Sequence, residues 1–278
     1  MLWCYLCCML YKINLIDYNI KMIFSILTYN LLYGAALKEI RSIVDEYQPD
    51  ILCFQEFPID DKENNSSLFK NYKLAGSANS FIKSGKIYGL ATFYNQNKVS
   101  VSSLANQKVP HTFYDWFRFI RNFFKKRVKR EFLKTTFKIN SSKKTINVFN
   151  VHLTAEATNE ARINQIKKIL KSTKKITSPV IIIGDFNYAP YSRRKLENLF
   201  KNNKFKEATS NINYTFFFKK NLFFYSFIQK FFLKLLTKIT PERLKLDYIF
   251  YKKLTFLKCE RIESRISDHY PILAFFKV

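Results

Sequence analysis

The chain has 278 residues, with 47 Lys or Arg against 21 Asp or Glu, and a formal net charge of +26 at pH 7. This length is sufficient for a large hydrophobic core without disulfide or metal support. The charge predicts attraction to polyanions such as nucleic acid or an anionic membrane, although a nucleotide-biased genome also explains a Lys-rich, Phe-rich and Asn-rich composition. The five cysteines match no disulfide framework or zinc spacing. Their odd number favours a reducing compartment, so we expect a cytoplasmic protein, with peripheral membrane association as the alternative.

The first 21 residues are difficult to assign to a folded element. Residues 1–11 are apolar, but they are too short to cross a bilayer and lack the basic start of a signal peptide. A start codon assigned too early would explain residues 1–21, because Met22 directly precedes the first predicted strand. We therefore expect this extension to be untranslated or disordered, and a chain beginning at Met22 to fold and function. A short membrane-associated tail with acylated cysteines is the alternative.

The next part of the chain alternates strands with a helix. Strands are predicted at residues 23–29, 51–54 and 90–94, where β-forming residues dominate. Apolar residues recur at helical spacing from Leu37 to Tyr47, and Pro49 ends this helix because proline disfavours helix in the residue before it. Residues 60–67 are polar and charged, which predicts a surface loop.

The same alternation continues to the end of the chain. Two strands at residues 132–139 and 145–151 flank a polar stretch that fits a hairpin, and strands follow at 180–183, 246–251 and 272–276. Residues 160–170 carry their apolar side chains on one helical face. With no internal repeat and no linker, this order predicts one α/β layered domain whose helices cover the sheets.

Two segments interleave aromatic and basic residues and do not fit this plan. They span residues 113–130 and 214–238 and contain Phe-Phe-Lys-Lys-Arg and Phe-Phe-Phe-Lys-Lys strings. Such segments could bind nucleic acid through phosphate contacts and stacking, or lie on an anionic membrane as basic amphipathic helices. Ordinary helices with a buried and a solvated face are the third interpretation.

Short polar strings stand next to the apolar runs that read as buried strands. The most informative are Gln-Glu at residues 55–56, Gly-Asp-Phe-Asn at 184–187 and Ser-Asp-His at 267–269. Strand ends can meet at one edge of a sheet, which would bring acids, amides and imidazoles together. Hard divalent cations prefer carboxylate oxygens, and charge developing on a phosphoryl group needs amide or imidazole donors. This composition predicts a metal-assisted phosphoester hydrolase.

Six strings in order resemble the endonuclease/exonuclease/phosphatase superfamily of DNase I-like, metal-dependent phosphoesterases. They are Thr-Tyr-Asn at 28–30, Gln-Glu at 55–56, Asn-Val-His-Leu at 150–153, Gly-Asp-Phe-Asn at 184–187, Leu-Asp-Tyr at 246–248 and Ser-Asp-His at 267–269. The resemblance implies one domain over residues 22–278. It also implies a four-layer α/β/β/α sandwich with two central mixed β-sheets, and a requirement for Mg²⁺ or Mn²⁺.

The resemblance also implies roles for the acidic and amide residues. Glu56 is the principal metal ligand, with Asn30 nearby and Asp268 completing the shell through water. Asp185 orients or deprotonates the attacking water, and Asn187 donates to the phosphoryl oxygens. Asn30 could instead cap a turn.

The histidines and their partners complete the predicted site. The resemblance implies that His269 contacts the scissile phosphate and that Asp247 accepts its other ring proton, as carboxylate partners of histidine do. It further implies that His152 lies on the opposite flank as a second donor or acid, and that Asn150 contributes to substrate binding. Asp247 could instead pair structurally with a basic side chain.

Three further residues are assigned no catalytic role. Arg162 and Gln165, nearly one helical turn apart, match a pattern that is common after the His-Leu string in this family. We interpret them as structural ties between the helix and neighbouring loops. His111 lies outside all six strings and is assigned no role.

The leading functional hypothesis is a nuclease that hydrolyses phosphodiesters by in-line attack of an activated water. The histidine at residue 152 stands where AP endonucleases usually carry a tyrosine-bearing string, and the Pro-Trp string of inositol polyphosphate phosphatases is missing near residue 241. A sphingomyelinase-like phospholipid phosphodiesterase or another phosphatase of the superfamily is the alternative. A non-catalytic binding protein on the same fold is the remote alternative. No protein partner is inferred, and a monomer is expected.

Overall fold

The computed structural model describes residues 23–60, 69–108, 130–217, 243–264 and 266–278. The predicted extension at residues 1–21, the loop at 61–67 and His111 lie outside this range. So do most of the two aromatic and basic segments. No helix among the described residues is both long enough and apolar enough to cross a membrane.

Three helices and fourteen strands make up the described part of the chain. The helices are α1 (Leu37–Tyr47), α2 (Asn159–Thr173) and α3 (Arg193–Asn202), the last preceded by a single 3₁₀ turn at Pro190–Ser192. The strands are β1 (Ile23–Asn30), β2 (Ile51–Pro58), β3 (Tyr72–Lys83), β4 (Lys86–Asn95), β5 (Val99–Lys108), β6 (Glu131–Ile139), β7 (Thr145–His152), β8 (Val180–Asp185), β9 (Lys206–Glu207), β10 (Phe216–Phe217), β11 (Arg243–Leu244), β12 (Asp247–Lys252), β13 (Thr255–Arg261) and β14 (Ile272–Lys277).

The strands form two six-stranded mixed sheets and one short pair. The first sheet has the order β13-β14-β1-β2-β4-β3, the second has the order β5-β6-β7-β8-β12-β9, and β10 pairs with β11. Only β1–β2 and β7–β8 are parallel among the described pairs. Helices α1 and α2 make these two crossovers, as parallel neighbours require. In each sheet, two adjacent strands therefore end at the same edge and deliver polar residues there.

The main core lies between the two sheets. Ile26 and Cys53 of the first sheet pack in one buried cluster with Ile181 of the second. Residues that alternate with them, such as Leu27 and Phe54, pack instead with α1, because successive strand side chains point to opposite faces. A third buried cluster joins the outer face of the second sheet to α2 and α3. The predicted four-layer α/β/β/α sandwich is confirmed.

Every strand and helix predicted within the described residues is present. Helix α1 has the predicted bounds, β12 has the predicted length but starts one residue later, and the other elements are one to several residues longer. The patterns did not predict β3, β5, β13 and α3, nor the two-residue strands β9, β10 and β11. Strands β3, β5 and β13 are three of the four outer edges of the two sheets. Few of their positions are fully buried, which obscures the apolar alternation.

Gly184 allows β8 to approach β7 and the first sheet at the same point. Its φ is +136°, and an added Cβ would overlap the Val151 carbonyl oxygen and lie 3.1 Å from Gln55 Nε2. Gly85 also has a positive φ, of +80°, but an added Cβ there meets nothing within 4 Å. Substitution of Gly85 would therefore cost only the strain of a positive φ, whereas substitution of Gly184 would add steric overlap.

Gly184→Ala is expected to lower the free energy of unfolding by about 2 kcal/mol or more, because it combines a disfavoured φ with overpacking. Gly85→Ala, the matched control, is expected to cost about 1 kcal/mol from conformation alone. Urea denaturation of the full chain measures both changes. Equal losses in the two variants would contradict the close approach at Gly184.

Candidate active site

The carboxylate of Asp185, at the end of β8, is the centre of the polar cluster. Its Oδ2 accepts hydrogen bonds from the side-chain amides of Asn30 and Asn187, each at 3.0 Å. Its Oδ1 accepts the backbone N–H of Asn187 at 2.8 Å. The residue is only 1% exposed, so these donors replace part of the water that a carboxylate would otherwise bind.

Two imidazoles approach the same carboxylate oxygen from different strands. His152 ends β7, and its Nε2 lies 3.5 Å from Asp185 Oδ2. His269 precedes β14, and its Nε2 lies 3.8 Å from that oxygen. Both imidazoles are buried. His152 Nδ1 has no hydrogen-bond partner among the described residues.

Glu56 reaches the cluster through an irregularity in β2. The pairing of β2 with β4 shifts register between Phe54 and Phe57, and Glu56 has a φ of +54°. A bulge of this kind turns a side chain away from its regular alternation. The Glu56 carboxylate accepts the Tyr33 backbone N–H at 3.0 Å and lies 3.4 Å from Asn30 Nδ2.

A chain of hydrogen bonds orients His269. Its Nδ1 lies 2.7 Å from Asp247 Oδ2, and the Thr215 hydroxyl donates to the same oxygen at 2.7 Å. The Thr215 hydroxyl also accepts the backbone N–H of Asp247 at 2.9 Å. Sequence reasoning missed Thr215, since a single threonine ahead of an aromatic run carries no distinguishing signal.

The two histidines have opposite charge preferences. Burial, with the positive charges of Arg130 and His269, lowers the pKa of His152 well below its usual value. Burial would also lower the pKa of His269, but the carboxylates of Asp247 and Asp185 outweigh it and raise this pKa to about 10. At neutral pH, His152 is therefore a neutral imidazole and His269 an imidazolium.

The negative charges of the buried acids in the cluster are not fully balanced by nearby positive charges. Burial and the charge of Asp268 raise the pKa of Glu56 to about 7. Burial is also the main cause that raises the pKa of Asp185 to about 6. A bound cation would favour the ionised form of both carboxylates.

The donor set is suitable for a metal ion. Asp185, Asp247 and His269 form a buried group in which one ligand atom from each lies within 4.8 Å of the others, and this group could hold a metal. Glu56, Asn30 and Asp268 add an oxygen-rich set beside it. Asp247 Oδ1 is buried and has no hydrogen-bond partner among the described residues. Carboxylate and amide oxygens are the ligands of hard divalent cations such as Mg²⁺.

Asn150 is the predicted site residue that the structure does not bring into the cluster. It is fully buried between the sheets, where its Oδ1 accepts from Gln55 Nε2 at 2.8 Å. Its Nδ2 donates to the carbonyl oxygens of Phe54 at 3.2 Å and Ala91 at 3.1 Å. The Asn150 amide therefore joins the two sheets and has no exposed atom that could contact a substrate. The predicted role of Asn150 in substrate binding is not supported.

Residues beside the cluster stabilise the chain around it. Arg162 Nε donates to the Thr154 carbonyl oxygen at 3.0 Å, and Gln165 Nε2 donates to the Thr154 hydroxyl at 2.9 Å. These contacts confirm that both residues tie α2 to the loop after β7. Buried Arg130 donates to the His152 carbonyl oxygen at 3.1 Å and to the Ser80 hydroxyl at 3.0 Å. It was not singled out in the sequence, where it ends a run of many basic residues.

The two face-to-face mixed sheets, with acids, amides and imidazoles at their shared edge, define a DNase I-like phosphoesterase fold. The chain belongs to the Endonuclease/Exonuclease/phosphatase family, whose model matches residues 27–269. No curated protein sequence matches the chain significantly.

Solved structures share the fold at low sequence identity. A family member from Bacteroides vulgatus aligns with a TM-score of 0.67 and 18% identity, covering 92% of this chain and 99% of that one. The human Nocturnin catalytic domain with a bound sulfate anion aligns at 0.64 and 19%, covering 92% and 94%. D. rerio TDP2 in complex with a single-strand DNA product aligns at 0.65 and 16%, covering 92% and 99%.

Mg²⁺ or Mn²⁺ is expected to stabilise the protein against unfolding, by about 2.7 kcal/mol at a concentration 100 times the dissociation constant. Glu56→Gln is expected to remove most of this gain, because it deletes a carboxylate of the oxygen-rich set. Thermal unfolding with and without metal measures the effect. Glu46→Gln, on the exposed face of α1, is the control and should keep the full gain. An unchanged metal response in Glu56→Gln would argue against this ligand.

In metal-free protein, Asp247→Asn is expected to lower the pKa of His269. The carboxylate raises this pKa in the folded state, and the burial that remains lowers it, so the imidazole should lose its proton at a lower pH. Nitrogen chemical shifts of the imidazole followed by NMR against pH report the change. If the pKa of His269 were the same in Asp247→Asn as in the wild type, the Asp247 carboxylate would not be the cause of the raised pKa.

Proposed function

We propose that this protein is a divalent-metal-dependent phosphodiesterase that hydrolyses nucleic acid by in-line attack of an activated water. The observation that carries the proposal is the surroundings of Asp185 Oδ2, where two amides at 3.0 Å and two imidazoles within 3.8 Å converge on one buried carboxylate. A phosphodiester needs both a base for water and donors for its oxygens, and this cluster offers both at one point.

Asp185 serves as the general base. A water hydrogen-bonded to its carboxylate attacks phosphorus, and Asp185 takes the water proton as the bond from phosphorus to the leaving oxygen breaks. The leaving oxygen takes a proton from solvent water and departs as an alcohol. The pKa of about 6 places the carboxylate near the neutral range in which a base is most effective. Asn187 and Asn30 hold the carboxylate in place through their amides.

His269 stabilises the charge that develops on the phosphoryl oxygens. Its Nδ1 is held by Asp247, which leaves Nε2 to donate toward the substrate. Because the imidazole is protonated at neutral pH, it carries a full positive charge where negative charge builds up. His152 is neutral, so it acts on the opposite side as a hydrogen-bond donor rather than as a proton source.

Glu56, with Asn30 and Asp268, would hold a Mg²⁺ or Mn²⁺ ion. When bound there, such an ion withdraws charge from a phosphoryl oxygen. The Asp185, Asp247 and His269 group fits a cation less well at neutral pH. A protonated imidazole offers no lone pair, and its Nδ1 is already shared with Asp247 at 2.7 Å.

Nucleic acid is the substrate class favoured by charge. The net charge of +26 attracts a polyanion over a long range, whereas a zwitterionic lipid headgroup gains little from it. The D. rerio TDP2 structure, at 16% identity, is a complex with a single-strand DNA product, and it supports this proposal by analogy. The test is therefore a direct comparison of substrate classes.

Turnover with Mg²⁺ or Mn²⁺ is measured in parallel on single-stranded DNA, double-stranded DNA, abasic DNA, RNA and sphingomyelin vesicles. We expect cleavage of nucleic acid at low salt and about a 10²- to 10⁴-fold loss in Asp185→Asn, the range for removal of a general base. Asp45→Asn, on the exposed face of α1, is the matched control and should retain turnover.

Each alternative result has a distinct meaning. Near-normal turnover in Asp185→Asn would remove that residue from the role of base. Hydrolysis confined to sphingomyelin would replace the nuclease proposal with a phospholipid phosphodiesterase. No turnover of any substrate would favour a binding protein on this fold.

A further inference from the structure

An aromatic surface with one cation lies beside the catalytic cluster. The rings of Tyr33, Phe81 and Tyr88 contact one another with centroid distances of 5.7 to 5.9 Å, and Lys83 Nζ lies 3.1 Å from the Tyr33 centroid. All four side chains are half-buried, so each keeps some accessible surface. These four residues are called the aromatic wall below.

The aromatic wall is continuous with the catalytic cluster at two points. The Phe81 ring meets the His152 ring edge-on, with centroids 6.0 Å apart. The Tyr33 backbone N–H donates to Glu56 at 3.0 Å. The wall is therefore within reach of a substrate whose phosphate lies at Asp185, on the side of His152 and Glu56.

The backbone on both sides of the wall adopts uncommon conformations. Leu32, Tyr33 and Gly34 have successive positive φ values of 47°, 56° and 76°. The pairing of β3 with β4 shifts register between Asn79 and Phe81, and the hairpin turns at Ser84 and Gly85 with φ values of 49° and 80°. Left-handed conformations at residues other than glycine cost of the order of 1 kcal/mol or more and concentrate at functional sites. Here they present Tyr33 toward the hairpin.

We propose that the aromatic wall binds a nucleobase next to the scissile phosphate, while Lys83 contacts a neighbouring phosphate of the same strand. This inference rests on the proposed nuclease function and specifies its substrate as a strand with accessible bases. Aromatic rings stack on any base, because every base has a π-face, so the wall selects for bases without reading their sequence.

The cation in the wall argues against a choline headgroup. A quaternary ammonium is recognised through its positive charge by aromatic rings, but Lys83 already places a positive charge over the Tyr33 ring. A second cation there would be repelled, whereas a phosphate would be attracted. The combination of stacking surface and positive charge matches the repeating base and phosphate of a nucleic acid strand.

The test compares binding of two short single-stranded oligonucleotides of about six nucleotides, one with bases and one with an abasic residue at every position. Full-length Asp185→Asn protein with Mg²⁺ is used so that cleavage does not intervene, and fluorescence anisotropy measures affinity. We expect the oligonucleotide with bases to bind about 5- to 150-fold more tightly, the effect of one stacked base. Tyr33→Leu and Tyr88→Leu, each added to this protein, should lose most of that preference.

Matched controls come from the same chain. Tyr47→Leu, exposed at the C-terminal end of α1, should keep the preference for bases. Lys83→Met should reduce the slope of log affinity against log salt by about 0.7, the value for one phosphate contact on a single strand. Lys73→Met, exposed near the other end of β3, should leave the slope unchanged. Thermal unfolding verifies that each variant is folded.

The results separate this inference from the proposed function. If the wild-type chain cleaves DNA but both tyrosine variants keep the full preference for bases, the wall is structural and the inference is overturned. If the preference for bases depends on the tyrosines but the wild-type chain cleaves no nucleic acid, the wall binds bases and the proposed nuclease function is wrong. If the tyrosine variants lose binding to sphingomyelin vesicles and not to DNA, a membrane replaces the nucleobase. Absence of DNA binding would overturn the inference outright.

Discussion

The hydrogen bonds of Gln55 and Asn150 between the two sheets are the constraint on which the site depends. Gln55 Nε2 donates to Asn150 Oδ1 at 2.8 Å, and Asn150 in turn donates to two carbonyl oxygens of the first sheet. Both side chains are fully buried, so sliding the sheets would leave polar groups unpaired in the core, at about 1–3 kcal/mol for each. Glu56 directly follows Gln55, and His152 lies two residues beyond Asn150. The hydrogen bonds between Gln55 and Asn150 therefore set the distance between Glu56 on the first sheet and His152 on the second.

In the polar cluster around Asp185, local environment gives the two histidines opposite protonation states. Burial lowers the pKa of His152, while two carboxylates raise that of His269 despite the same burial. The difference arises because Asp247 lies 2.7 Å from His269, whereas the positive charge of Arg130 acts on His152. One site can thus present a neutral imidazole and an imidazolium on either side of Asp185. This arrangement suits a reaction that moves negative charge across a phosphoryl group.

Irregular backbone conformations position several residues of the site at the edge of the two regular sheets. Glu56 lies in a bulge with a φ of 54°, Asn187 has a φ of 48°, and Tyr33 has a φ of 56°. Regular strands would alternate these side chains between the core and the outer face. The departures bring Glu56 to the cluster, let the Asn187 backbone reach Asp185 and place Tyr33 against the β3–β4 hairpin. The rigid sheets supply the support that holds these strained positions.

The amino-acid sequence by itself determined the class of the fold and the polar strings at its strand ends. Apolar runs and helical spacing are local patterns, and they predicted β1, β2, β8 and α1 along with Asp185 and His269 beside their strands. Tertiary structure alone decided that Asn150 joins the sheets, that Thr215 orients Asp247, and that Tyr33 meets Phe81 and Tyr88. Each of these contacts joins residues from about 30 to about 100 positions apart. Sheet order and packing between layers bring such residues together, and local periodicity carries no information about either.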